Sequence, residues 1–153
     1  MNARPFDHLY TLQRSPLALA PVIYQFYNHR ETTEQDVLLS YLILPLVLYP
    51  PTQNFLHKAK STSSLRTMCE KRERLAGLVE RVQQMKSLTN DCLLILSAEG
   101  CIGFDQRLGV TLHDENRAEN ANPRIMKAAE RLATIFGTEH IVTIYRMLGL
   151  KSL

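Results

Sequence analysis

The run YLILPLVLYPPT, Tyr41 to Thr52, constrains this chain more than any other. So apolar a segment has to leave water, either into a bilayer or into the protein's own interior. From Val37 to Tyr49 it is thirteen residues long, with Ser40 and Pro45 inside it. A membrane-spanning helix needs about twenty apolar residues. Glu34, Gln35 and Asp36 precede the run, and Pro50 and Pro51 end it. A span is therefore excluded. The reading that remains is a helix through to about Leu48, apolar on every side and hence central in a water-soluble core. Pro45 has no N–H to offer residue 41 and is predicted to kink it.

The rest of the chain supplies partners for such a helix. Ser15-Pro16 is a hydroxyl cap followed by proline at the first helical position. Leu17, Ala20, Ile23, Tyr24 and Tyr27 then form one stripe. Thr33 and Asp36 have capping-box spacing before the apolar run. Thr52 is predicted to cap a third helix carrying Phe55 and Leu56. Beyond STSS (61–64), a helical pattern runs from Leu65 to Met85 with a break at Gly77. A further helix is expected from about Ser87 to Ser97, closed by Gly100. Cys101–Phe104 and Val110–Leu112 flank a polar turn, which is a hairpin signal. The polar stretch 113–121 reads as a loop. Asn122-Pro123 starts another helix, and Thr138 is predicted to cap a last one ending at Gly149.

The expected fold class is mainly α, a single domain over 1–153 containing a winged-helix-like unit. Residues 1–13 are expected to be flexible or extended. Residues 52–113, helices followed by a two-stranded β-hairpin, make the winged-helix-like unit, and 122–150 a C-terminal helical pair. The length of 153 residues, with 45% hydrophobic and 22% charged residues, suits one domain with a full core.

Chemistry-bearing motifs are few. The sequence has no HExxH, no GxxxxGK[ST], no GxGxxG and no GxSxG, and its five histidines show no ligand spacing. No metal, cofactor or catalytic residue is expected. Asp114-Glu115 reads as a solvated pair, and Cys101 as a small buried residue without a partner histidine. Three widely spaced cysteines and an N-terminus without an apolar h-region lead to the expectation of a reducing cytoplasm.

One segment concentrates charge. Between His57 and Arg74, six cations (Lys58, Lys60, Arg66, Lys71, Arg72 and Arg74) stand against Glu70 and Glu73, with four hydroxyls at 61–64. Such groups hold phosphate oxygens in nucleic-acid backbones; a solvated helix face is the ordinary alternative. At the hairpin tip Gln106 and Arg107 are candidates for a minor groove, against an exposed turn. In IVTIYRMLGLKSL, the residues Ile141, Ile144, Tyr145 and Leu148 have core spacing. Tyr145, Arg146, Met147 and Leu150 are the candidate partner-binding residues, with Met147 and Leu150 expected to be exposed.

The segments SPLALAPVIYQFY, YLILPLVLYPPTQNFLHKAKSTSSL and IYRMLGL together resemble the small middle component of three-component ABC-type bacterial defence systems, of the Lamassu class. Leu44-Pro45-Leu46 and Tyr145-Arg146-Met147-Leu148-Gly149 carry the resemblance, which spans about residues 15 to 150. It implies a non-enzymatic subunit of an antiphage or antiplasmid complex. Its partners would be an SMC- or Rad50-like ATPase, an effector that is often a nuclease, and DNA through the complex. No membrane partner is expected. The alternative from the residues alone is a free-standing winged-helix transcription regulator, dimerising through its terminal helices. Against that stands SLTNDCLLILSAEG, which is acidic to apolar where a recognition helix should be basic.

Overall fold

In the computed structural model, residues 15–113 and 121–151 are described. Seven α-helices and one hairpin account for most of them. The helices are α1 (Pro16–Asn28), α2 (Ser40–Val47), α3 (Pro50–Lys58), α4 (Leu65–Cys69), α5 (Leu78–Ala98), α6 (Pro123–Phe136) and α7 (Ile141–Met147). Short 3-10 turns occupy Asp36–Leu39 and Arg72–Arg74. The strands β1 (Ile102–Phe104) and β2 (Val110–Leu112) pair antiparallel, with Gly103 opposite Thr111. Over the described residues the chain is mainly helical with one two-stranded hairpin, as its sequence leads one to expect. Residues 1–13, and the loop beyond His113 with Asp114-Glu115, lie outside the described residues except at Ala121.

The apolar run is the buried spine. Leu42, Ile43, Leu44, Leu46 and Val47 have no exposed surface. On that spine α1, α5 and α6 close a four-helix core: α1 packs on α5 and α6, and α2 packs on the same two. Phe26 of α1 meets Phe136 of α6 edge to face, with ring centroids 5.9 Å apart. Around this core α3 lies on α6, α4 on α7, β1 on α5 and β2 on α1. The helices of residues 50–98 thus find their main partners outside the stretch 52–113.

Local capping explains most boundaries. Ser15 Oγ accepts the Ala18 N–H at 3.2 Å. Asn122 Oδ1 accepts those of Arg124 and Ile125 at 2.9 and 3.3 Å. After α5, Gly100 at φ +73 lets the Cys101 N–H return to the Leu96 carbonyl at 2.9 Å.

Four expectations are corrected. The helix expected to follow directly on the Thr33–Asp36 capping box starts only at Ser40, because Gln35 is left-handed and the Gln35 and Val37 N–H groups go to hairpin carbonyls of Arg107 and Leu108. Thr52 does not cap α3. Tyr49 holds that position, Pro50 and Pro51 open the helix, and the buried Thr52 hydroxyl donates to the Arg74 carbonyl at 2.6 Å. The expected break near residue 87 is absent: α5 runs unbroken for 21 residues from Leu78, after Gly77 at φ +68. Helix α7 starts at Ile141 after His140, not at Thr138.

Candidate functional site

The basic segment divides into free cations and one tied arginine. Lys58 ends α3 and Lys60 follows it in a turn, where the Ser63 hydroxyl accepts the Lys60 N–H at 2.9 Å. Ser64 caps α4 through the Thr67 N–H. Two of the four hydroxyls expected to meet phosphate therefore serve the backbone. Lys58, Lys60, Arg66, Lys71 and Arg72 are exposed, and among the described residues none lies within ion-pair distance of a carboxylate. Arg74 is different. Its guanidinium lies 4.2 Å from the Phe55 ring centroid and donates to the Thr67 carbonyl at 2.9 Å. That geometry makes it a brace between α3 and α4. Lys58, Lys71, Glu73 and Arg74 share an open cleft of about 380 Å³ with Phe55.

Arg107 is exposed at the hairpin tip beside exposed Gln106, with its backbone committed on both sides. Its N–H donates to Asp105 Oδ1 at 2.8 Å, and its carbonyl accepts the Gln35 N–H at 2.8 Å. The tip is thus bound to the segment leading into the first 3-10 turn.

That same segment forms one wall of a groove whose other wall is α7. The groove holds about 590 Å³ and is lined by Gln35, Leu38, Ile141, Val142, Tyr145 and Leu150, with Arg146 and Lys151 at one end. Tyr145 bridges the two walls from below, its hydroxyl donating to the Leu38 carbonyl at 2.5 Å. Burial raises its pKa above the ordinary phenol value, so it stays a donor. Arg146 and Met147 are exposed. Leu150, expected at the surface, is only 6% exposed: Gly149 at φ +77 turns the chain so that the Leu150 N–H reaches the Tyr145 carbonyl and its side chain is buried. Ile141, Ile144 and Leu148 are core, as their spacing indicates.

Gln35, Leu38 and Val142 line this groove without standing out in the sequence. Val142 lies more than a hundred residues from the other two, and nothing local marks a 3-10 turn as the wall opposite α7. The three cysteines are poorly placed to act as nucleophiles. Burial, with Asp91 adding to it, pushes the Cys92 thiol up to about 12, and burial also raises Cys69. Cys101 is buried. Among the described residues no group of three or more histidines, cysteines or carboxylates is placed to hold a metal ion. None of their helices is long and apolar enough to cross a membrane.

No curated protein and no solved structure shows detectable similarity to the chain. Residues 3–152 do match the family described as ABC-three component (ABC-3C) system Middle Component 3. Matched over nearly its full length, the chain therefore belongs to the middle components of ABC three-component systems.

Proposed function

We propose that the chain is the non-catalytic middle subunit of an antiphage or antiplasmid complex of the Lamassu kind. In it the chain joins an SMC- or Rad50-like ATPase to an effector, of which a nuclease is the expected type. The observation that carries this reading is the family match over residues 3–152. The Leu44-Pro45-Leu46 and Tyr145–Gly149 segments support the finer assignment.

The DNA contribution of this subunit rests on the five exposed cations between residues 58 and 72. Lysine and arginine side chains without carboxylate partners keep their full charge for phosphates, and they read no sequence. Arg74 is committed to Phe55 and contributes to shape instead. The exposed positions of α5, the helix before the hairpin, include Glu80, Asp91 and Leu94, and its Arg81 is tied to Pro45. That surface suits protein contact better than the base readout of a regulator.

The test is DNA binding by the assembled complex carrying Lys58→Glu, Lys60→Glu, Arg66→Glu, Lys71→Glu and Arg72→Glu together. Weaker binding is expected, with a salt dependence flattened by up to about 0.9 in slope per lost phosphate contact. Binding equal to the parent complex at every salt concentration would remove the DNA role and leave the subunit role standing.

A further inference from the structure

The groove between α7 and the Asp36–Leu39 turn has two features that together describe an occupant. Its floor is apolar, with Leu38, Ile141, Val142, Tyr145 and Leu150 along it. Val142 is 65% exposed. Its ends carry opposite charge. Arg146 and Lys151 stand at one end, exposed and without a carboxylate partner among the described residues. At the other end it continues into a recess of about 260 Å³ that shares Gln35, Ile141 and Val142 and is bordered by Glu34 and Glu139. Both acids are exposed.

The walls are helical or turn backbone, and no strand edge lines the groove. An added β-strand would find no ladder to join there. The Gln35 N–H, which might otherwise face an incoming peptide, is already given to Arg107. Recognition must then come from side chains, the mode in which an amphipathic helix lays its apolar face into a groove. The volume lies within the range of formed binding pockets, room for a few large side chains rather than one. The Tyr145–Leu38 hydrogen bond ties the two walls together, so the groove is preformed and an occupant has little ordering to do.

Resting on the reading of the chain as a middle component, we propose that this groove docks an amphipathic helix from another protein component of the complex. That helix places aliphatic or aromatic side chains at i, i+3 and i+4 over Val142 and Leu38. It carries an acidic residue toward Arg146 and Lys151 and a basic residue toward Glu34 and Glu139.

The test uses the chain co-expressed with the ATPase and third component of its own system. A photoreactive benzoylphenylalanine replaces Val142, and crosslinked peptides are sequenced by mass spectrometry; Val142→Asp and Arg146→Glu are measured for affinity. Val142 and Arg146 are exposed, so both variants are expected to keep the parent's circular dichroism and melting temperature. The expected result is a crosslink to one peptide of another component with that apolar spacing and charge order. Val142→Asp is expected to weaken capture of that component about tenfold or more, and Arg146→Glu less, with the Arg146 effect fading at high salt. A crosslink to a second copy of the chain or to its own residues would overturn the proposal. A partner peptide lacking the stripe would do the same, as would unchanged affinity with Val142→Asp, and in each case the middle-component reading survives. If the parent chain captures neither component, that reading fails and takes the proposal with it.

Discussion

Asp36 reaches across 74 residues of sequence to accept the backbone N–H of Val110 at 2.6 Å, and this bond seats the hairpin on the helical body. The same carboxylate accepts the Thr33 N–H at 3.1 Å. Behind it the Tyr27 hydroxyl donates to the Asp36 carbonyl and meets the Ser40 hydroxyl, both at 2.7 Å. Asp36 and Ser40 are fully buried. Around the bond, Thr32 Oγ1 donates to the Val110 carbonyl, and the Gln35 and Val37 N–H groups reach the hairpin turn. Hairpin and 3-10 turn form one unit, and that unit is a wall of the α7 groove.

Removing the carboxylate should loosen this unit. Asp36→Ala leaves the buried Val110 N–H without its acceptor, at about 1–3 kcal/mol, and the half-buried Thr33 N–H without its own, at somewhat less. Urea unfolding is expected to show a loss of about 2–5 kcal/mol in total. The pH dependence has a definite sign. Burial raises the Asp36 pKa above its ordinary value of 3.8, against the opposing effects of the Val110 and Thr33 N–H groups and of Arg30. A group whose folded pKa is raised contributes stability below its unfolded pKa and loses it as pH rises through the folded value. Compared with Asp36→Asn, the parent protein is therefore expected to lose stability as pH rises from about 4 toward neutrality. Parallel melting curves across that window would count against the assignment.

Two hairpin glycines should respond differently to alanine. A Cβ on Gly109 would lie 2.8 Å from Thr32 Cγ2 and 2.9 Å from the Thr33 carbonyl, so backbone would have to move. Gly109→Ala is expected to cost about 1–3 kcal/mol and to raise hydrogen exchange at Val110. At Gly103 the nearest obstacle is the ring of exposed His113, which can swing aside. Gly103→Ala is expected to cost well under half as much.

Arg81 braces the spine helix from α5. Its guanidinium lies 3.7 Å from the Tyr49 ring centroid, Nε donates to the Pro45 carbonyl at 3.1 Å, and a terminal nitrogen reaches the Ala76 carbonyl. Arg81→Ala is expected to destabilise by about 1–3 kcal/mol in thermal unfolding. Arg81→Lys should recover less than half, since an ammonium group cannot stack and fork at once. Full recovery would mean that charge alone matters.

These relationships mark what can be read in the sequence and what cannot. Ser15-Pro16, Asn122-Pro123 and Gly100 announce their helix ends because a cap acts over three or four residues. The hairpin is visible because its turn lies between its strands. The burial of 42–47 follows from composition alone. Asp36 was legible only as half of a local capping box, and the Thr33 bond does form; its pull on Val110 was not, since no local pattern encodes a contact 74 residues away. Tyr145 stood out as a candidate, but the Leu38 carbonyl that positions it is 107 residues distant. Arg74 looked like its charged neighbours until Phe55 was brought beneath it.

The central claim is that this chain works as the middle piece of a larger machine, and intact-mass measurement tests it most directly. The chain is co-expressed with the ATPase and third component of its system, purified through a tag on itself, and weighed by native mass spectrometry. The expected result is one assembly holding the ATPase and the third component in a fixed ratio to this chain. A lone monomer or homodimer, with both other components in the flow-through, would contradict it.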